Sequence, residues 1–166
     1  MIKYIPDMTS VVIEEIPDKL TLAVSISNCQ GRCDGCHSPH LREDAGAELT
    51  EERIDALFED NFGVNCFLFL GEGNDRNALV RLADYVRTAH GVCVALYSGR
   101  EDVEDEVWRA FDYVKVGPYI SEKGPLNSPE TNQRLYMVQH DHSGECVRTD
   151  ITSRFWKRGL ETLSTH

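Results

Sequence analysis

The sequence has little of what would mark a membrane-bound, secreted or nucleic-acid-binding protein. No apolar run approaches the roughly 18 residues of a membrane-spanning helix, so no membrane segment is expected. The N-terminal stretch MIKYIPDMTS has no apolar core of a secretory signal, which favours a cytoplasmic location. Lys and Arg number 17 against 28 acidic residues, giving a net charge of −11. Such an acidic chain offers no broad basic face, and we expect no nucleic-acid partner.

The sequence also lacks internal repeats, low-complexity tracts and a segment with the composition of an inter-domain linker. Its 166 residues are enough for one ordinary domain with its own hydrophobic core. We therefore expect a single domain over residues 1–166.

The apolar pattern predicts an α/β fold. Two short apolar runs, 11–16 and 21–26, flank Pro17-Asp18-Lys19 and predict a hairpin. Strand-like and helix-like segments then alternate, which favours a parallel sheet with right-handed crossovers. The end of the chain predicts a second hairpin and a final helix. The expected later strands are 64–70, 92–97, 113–116, 133–139 and 145–149, and the expected helices begin near Thr50, after Asp75, at Glu101 and near Asp150.

The cysteines are unevenly distributed. Three of the six, Cys29, Cys33 and Cys36, form a C-x3-C-x2-C motif in the stretch NCQGRCDGCHSPH. The motif directly follows the second strand of the predicted N-terminal hairpin, so it lies on a loop at the carboxyl end of that strand. Disulfides are rare in the cytoplasm, and this spacing points instead to a metal centre. We interpret Cys66 and Cys93, which lie in apolar strands, as small core residues.

Three thiolates are an incomplete ligand set for either common metal centre. A structural zinc ion takes four ligands, and His37 or His40 could supply the fourth. A 4Fe–4S cluster with three cysteine ligands would have one open iron. Zinc motifs usually combine two separated ligand pairs, and the chain has a single C-x2-C with no distant partner, which favours the cluster. Redox-active or unligated thiols are the remaining interpretation.

The cysteine loop resembles the signature of radical S-adenosylmethionine enzymes. More narrowly, CDGCHSPHL and the short chain resemble the activating proteins of anaerobic ribonucleotide reductase. Three further segments resemble that family in the same order along the chain, and the resemblance covers roughly residues 10–140. These segments are YSGR at 97–100, VKVGPYI at 114–120 and TNQRLY at 131–136.

The resemblance implies a fold, cofactors and partners. The fold would be a shortened, partial β/α barrel in which Cys29, Cys33 and Cys36 bind a 4Fe–4S cluster. The open iron would bind S-adenosylmethionine, and one electron would cleave it to methionine and a 5′-deoxyadenosyl radical. That radical would remove a hydrogen atom from a glycine of the reductase large subunit. The electron would come from a low-potential donor such as a flavodoxin- or ferredoxin-like protein.

The resemblance also implies contacts to S-adenosylmethionine, with one departure from the family pattern. The family has a Gly-Gly-Glu or Gly-Gly-Asp turn whose acid receives the methionine amino group. Here the sequence is Leu70-Gly71-Glu72-Gly73. Either Glu72 is the acid and Leu70 replaces the first glycine, or Gly73 replaces the acid. The expected cofactor-binding residues are Gly35, His37, Gly71, Glu72, Gly73, Tyr97 and Ser98.

Two other functions remain open at this point. One is a small radical enzyme that acts on a small molecule or a peptide. The other is a non-catalytic zinc or iron–sulfur binding module. With 166 residues, little chain is left to enclose a small substrate, which favours a protein partner that covers the open side of the site.

Overall fold

The computed structural model describes residues 1–13, 15–27, 46–140, 143 and 145–155. Within these ranges the chain forms three complete α-helices, one short 3-10 helix at Pro6–Met8 and nine strands. The helices are α1 (Glu51–Asp60), α2 (Arg76–His90) and α3 (Asp105–Ala110). The strands are β1 (Lys3–Tyr4), β2 (Ser10–Val12), β3 (Thr21–Ser25), β4 (Ala47–Glu48), β5 (Cys66–Leu70), β6 (Cys93–Tyr97), β7 (Tyr113–Val116), β8 (Arg134–His140) and β9 (Cys146–Asp150).

Seven of these strands form one mixed sheet in the order β2-β3-β5-β6-β7-β8-β9. The four central strands, β3, β5, β6 and β7, run parallel, whereas β2, β8 and β9 pair antiparallel with their neighbours. The predicted α/β class, with a mainly parallel sheet and a hairpin at each end, is confirmed. Strands β2 and β9 are the two edges and do not pair with each other, so the described sheet is open.

The two faces of the sheet bury different sets of residues because side chains alternate along each strand. On one face, Phe67 and Phe69 of β5 pack against the three helices. On the other face, Cys66 and Leu68 join Ala23, Ala95 and a set of residues from the C-terminal hairpin. We call the face with Phe67 and Phe69 the helix face, and the face with Cys66 and Leu68 the open face. The strand β5 is buried on both sides, as its continuous apolar run predicts.

Local sequence signals account for the helix ends. The Thr50 side chain accepts a hydrogen bond from the Arg53 amide at 3.1 Å, which confirms the expected N-cap of α1. Asp75 caps α2 in the same way through the Ala78 amide at 3.1 Å. The α2 helix ends at Gly91 in the left-handed conformation, with φ 64°.

Some element bounds differ from those that the sequence predicts. The third helix begins at Asp105 and not at Glu101, because the Asp102 carboxylate binds the Val103 amide and the Trp108 indole and so fixes a loop there. The short pair of β1 and β4 is not predicted by the sequence. Residues 153–155 are helical, as expected, and the rest of the expected final helix lies outside the described residues. No helix in the described ranges is long and apolar enough to cross a membrane.

Candidate functional site

The four parallel strands end at one edge of the sheet, which we call the carboxyl edge. The segments that follow these strands are linked to one another by backbone hydrogen bonds. The Gly71 amide donates to the Tyr97 carbonyl at 3.0 Å, and the Ser98 amide donates to the Lys115 carbonyl at 2.8 Å. In an α/β sheet, this edge is where ligands usually bind. The cofactor-binding residues expected after β5 and after β6 therefore lie side by side.

The segment that leads to the cysteine motif starts at the same edge. Ser27 is fully buried, and both its amide and its hydroxyl donate to the Lys3 carbonyl, at 3.0 Å and 3.4 Å. Residues 28–45 follow, so Gly35, His37, Cys29, Cys33 and Cys36 lie outside the described residues. Within the described ranges, no group of three or more His, Cys, Asp or Glu side chains could hold a metal ion.

The turn after β5 packs directly against the segment that leads to the cysteines. Gly71 and Gly73 both have positive φ, 116° and 69°, which glycine adopts without strain. A Cβ atom on Gly73 would lie 2.8 Å from Ile2 Cδ1 and 3.3 Å from Ile26 Cγ2, and 3.8 Å from the Ser27 carbonyl oxygen. A larger residue here would have to adopt a strained backbone and displace the end of the Ile2 side chain, so glycine is favoured. The turn therefore lies close to the segment that leads into residues 28–45, and the Ile26 amide also donates to the Leu70 carbonyl at 3.1 Å.

Glu72, between these glycines, points toward the residues that follow β6. Its Oε2 atom accepts hydrogen bonds from Ser98 Oγ at 2.5 Å and from Arg100 Nε at 2.9 Å. Its Oε1 atom accepts from Arg100 Nη2 at 2.5 Å. The Glu72 side chain is 17% exposed, which places a paired but partly accessible carboxylate at the carboxyl edge.

Arg100 also binds Glu104, the N-cap residue of α3. The two guanidinium-to-carboxylate hydrogen bonds, Nη1 to Oε1 and Nη2 to Oε2, both measure 2.8 Å. These bonds, followed by those to Glu72, raise the pKa of the Arg100 guanidinium, and the bond to Arg100 lowers the pKa of Glu104 to about 2. Arg76, at the start of α2, extends the network through its ion pair with Glu104 at 3.3 Å.

Tyr97 lies on the open face. Its hydroxyl donates to the Glu15 carbonyl, and burial raises the pKa of its phenol well above the usual value. The buried Lys115 places its ammonium 5.4 Å from the centre of the Tyr97 ring and 3.3 Å from the Gly117 carbonyl. A lysine and a tyrosine therefore lie next to each other at the end of the open face.

A polar loop before β8 borders this pair. The buried Gln133 reaches the Gly117 carbonyl at 3.5 Å, and the Asn132 amide nitrogen donates to the Pro118 carbonyl at 3.0 Å. The Asn132 Oδ1 atom is buried and accepts no hydrogen bond within the described part of the chain.

The three isolated cysteines lie away from the carboxyl edge. Cys66 and Cys93 are paired neighbours at the amino ends of β5 and β6. Burial raises the pKa of the Cys66 thiol to about 12, as an inert core residue would show. Cys146, on β9, lies 3.4 Å from His140 Nδ1. The interpretation of Cys66 and Cys93 as packing residues agrees with their places in the open-face core.

The structure thus brings Gly71, Glu72, Gly73 and Ser98 together, and places Tyr97 on the adjoining open face. Sequence reasoning missed Arg100 and Lys115. A lysine inside the apolar strand YVKV was a usable signal for a special site. The pairing of Arg100 with Glu72 gave no such signal, because it depends on how the segments after β5 and β6 align.

Comparison of the chain with protein-family models, with curated proteins and with solved structures finds no significant match.

Proposed function

We propose that this protein is a radical-generating activase that uses a 4Fe–4S cluster and S-adenosylmethionine to install a glycyl radical on anaerobic ribonucleotide reductase. The observation that carries the proposal is the contact between the Gly73 turn and Ile26–Ser27. This contact brings the acid-bearing turn beside the start of the segment with the C-x3-C-x2-C motif. The chain therefore enters the segment with the expected cluster ligands beside the turn that carries the expected amino-group acid.

The donor chemistry fits the two cofactors. Three thiolates within eight residues of sequence suit an iron–sulfur cluster with one open iron. When bound, the cluster supplies one electron for the reductive cleavage of S-adenosylmethionine. Glu72 offers a partly exposed carboxylate to the methionine ammonium at the same edge. This arrangement supports Glu72, and not position 73, as the acid of the turn.

We propose the partial barrel as the finer description of the fold, because α1, α2 and α3 all pack on one face of the open sheet. A highly reactive radical needs a site from which water and exposed side chains are excluded. In the described part of the chain, the edge strands leave the sheet open, so a partner would complete the enclosure. A glycine-bearing segment of the reductase large subunit is the partner that we propose, with reducing electrons from a flavodoxin- or ferredoxin-like donor.

The first experiment tests the metal centre. The protein is reconstituted anaerobically with iron and sulfide, and iron is quantified together with the electron paramagnetic resonance spectrum of the reduced state. We expect a 4Fe–4S cluster that is lost in Cys29→Ala, Cys33→Ala and Cys36→Ala. The matched controls Cys66→Ala, Cys93→Ala and Cys146→Ala should retain it. Stoichiometric zinc with no iron uptake would favour the non-catalytic zinc module instead.

The second experiment tests the reaction. The reconstituted protein, a reductant and S-adenosylmethionine are mixed with the anaerobic reductase, either wild type or with its radical-bearing glycine changed to alanine. We expect slow formation of 5′-deoxyadenosine by the protein alone, and a glycyl-radical doublet with the wild-type reductase only. If no radical forms while a small molecule or peptide stimulates cleavage, the small-substrate radical enzyme is the correct function.

A further inference from the structure

Arg100 connects the segments that follow three neighbouring strands. Its side chain binds Glu72 after β5, and its amide donates to Ser98 Oγ after β6 at 3.1 Å. Its carbonyl accepts from the Gly117 amide after β7 at 2.6 Å. The backbone of Arg100 is therefore fixed independently of its ion pairs. A fixed backbone allows the guanidinium to hold a carboxylate in one orientation.

The contacts of Glu72 leave part of its carboxylate available. An ionised carboxylate has about four acceptor positions, two on each oxygen. Ser98 and Arg100 Nε occupy both positions on Oε2, whereas Arg100 Nη2 occupies one on Oε1. Among the described contacts, one acceptor position on Oε1 thus remains. The two parallel bonds from the guanidinium also fix the plane of the carboxylate.

Arg100 itself is committed to carboxylates. Four of its five N–H donors are used, two by Glu72 and two by Glu104. The network also includes Arg76 and Glu106, and its two guanidiniums and three carboxylates carry one net negative charge. This combination favours a cationic donor at the remaining Oε1 position over an anionic ligand.

We propose that Arg100 is the positioning residue for Glu72, and that it orients Oε1 to accept a hydrogen bond from the ammonium group of an α-amino-acid ligand. The proposal rests on the proposed function, in which that ligand is S-adenosylmethionine. Arg100 acts through Glu72 and does not touch the ligand. Lysine at this position would keep the charge but could not form the two-bonded fork.

The test compares two ligands on cluster-loaded protein by anaerobic equilibrium dialysis. S-adenosylmethionine has the ammonium group, and 5′-methylthioadenosine lacks the whole amino-acid part. For Arg100→Gln and Arg100→Lys, we expect the dissociation constant of S-adenosylmethionine to rise about tenfold, and that of 5′-methylthioadenosine to stay within twofold. The matched control is Arg76→Gln, which removes ion pairs with Glu104 and Glu106 but no described contact of Glu72, and it should leave both constants unchanged.

A double variant separates positioning from general support of the loops. If Arg100 acts through Glu72, then Glu72→Gln/Arg100→Gln binds S-adenosylmethionine no more weakly than Glu72→Gln alone. Additive losses, equal weakening for both ligands, or unchanged binding would overturn the proposal. If Arg100→Gln does not fold, the binding constants of Arg100→Lys test the proposal. If neither variant folds, Arg100 is a structural residue and the proposal is overturned. Wild-type protein that takes up no cluster or binds no S-adenosylmethionine refutes the proposed function itself.

Discussion

At the scale of single residues, the carboxyl edge depends on a close contact at Gly73. This residue combines a positive φ of 69° with a hypothetical Cβ position only 2.8 Å from the Ile2 side chain. Gly91 has nearly the same φ, 64°, but nothing lies within 4 Å of its Cβ position. Comparing substitutions at the two glycines therefore separates the cost of backbone strain from the cost of steric overlap.

We expect Gly73→Ala to destabilise the fold more than Gly91→Ala. Left-handed backbone in a non-glycine residue costs about 1–2 kcal/mol, and both variants carry that cost. Only Gly73→Ala must also displace Ile2 and Ile26. We expect an additional cost of about 1–3 kcal/mol in the free energy of unfolding, as overpacking of a core usually gives. Urea unfolding measures both variants, and equal costs would contradict the close contact.

The ion pair between Arg100 and Glu104 predicts a dependence of stability on pH. The pKa of Glu104 falls from its ordinary value of 4.5 to about 2 in the folded protein. The pair therefore stabilises the fold fully above pH 4.5, and this contribution is lost as the pH falls toward 2. Because the Glu104 side chain is 36% exposed, solvent screening limits the contribution to about 0.5–1 kcal/mol.

The measurement is the difference in free energy of unfolding between wild type and Glu104→Gln in the iron-free protein. We expect wild type to be the more stable at pH 6 and the difference to shrink between pH 4.5 and pH 3. A difference that stays constant across this range would show that the charge of Glu104 does not contribute.

At the scale of secondary-structure elements, the amino ends of β5 and β6 carry two neighbouring cysteines in different surroundings. Cys66 is fully buried with a raised pKa, whereas Cys93 is partly exposed. Thiolates, and not thiols, react with alkylating reagents. We expect iodoacetamide to label Cys66 at least about tenfold more slowly than Cys93 in the native protein, as measured by peptide mass spectrometry.

Labelling in urea is the control for this prediction. Unfolding removes the burial that raises the pKa of Cys66, so the two thiols should then react at similar rates. Equal rates in the native protein would mean that β5 opens at its amino end, contrary to its burial on both faces.

Sequence patterns predicted the elements well where burial alone determines them. The apolar run VNCFLFL predicts a strand covered on both faces, and β5 is buried in this way. The break at Gly71-Glu72-Gly73 predicts a turn at the strand end, and the turn is present. The pair of β1 with β4 is too short to give a periodic pattern. The pairing of Glu72 with Arg100 joins residues 28 positions apart, and it follows from strand register, which single-residue patterns do not contain.

At the scale of the whole molecule, the net charge of −11 bears on how a partner would dock. Association between an acidic protein and a basic docking face weakens as salt screens the charges. For the proposed partner, the reductase, we expect the dissociation constant to rise about tenfold between 0.05 and 0.5 M NaCl, as measured by anaerobic ultracentrifugation. The dissociation constant of S-adenosylmethionine in the same buffers is the control. An affinity for the reductase that does not change with salt would point to an apolar interface.

The strand order has a consequence for how the chain can fold while it is being made. Each strand of the seven-stranded sheet pairs with the next strand of that sheet along the chain, so none must be inserted between two strands that are already joined. The sheet can therefore extend in step with synthesis on the ribosome, from β2 toward β9. At every stage the nascent sheet exposes the edge of its newest strand to other chains. Residues 28–45 emerge before β5 is complete, so the cysteine motif leaves the ribosome before the turn that packs beside its entrance has formed.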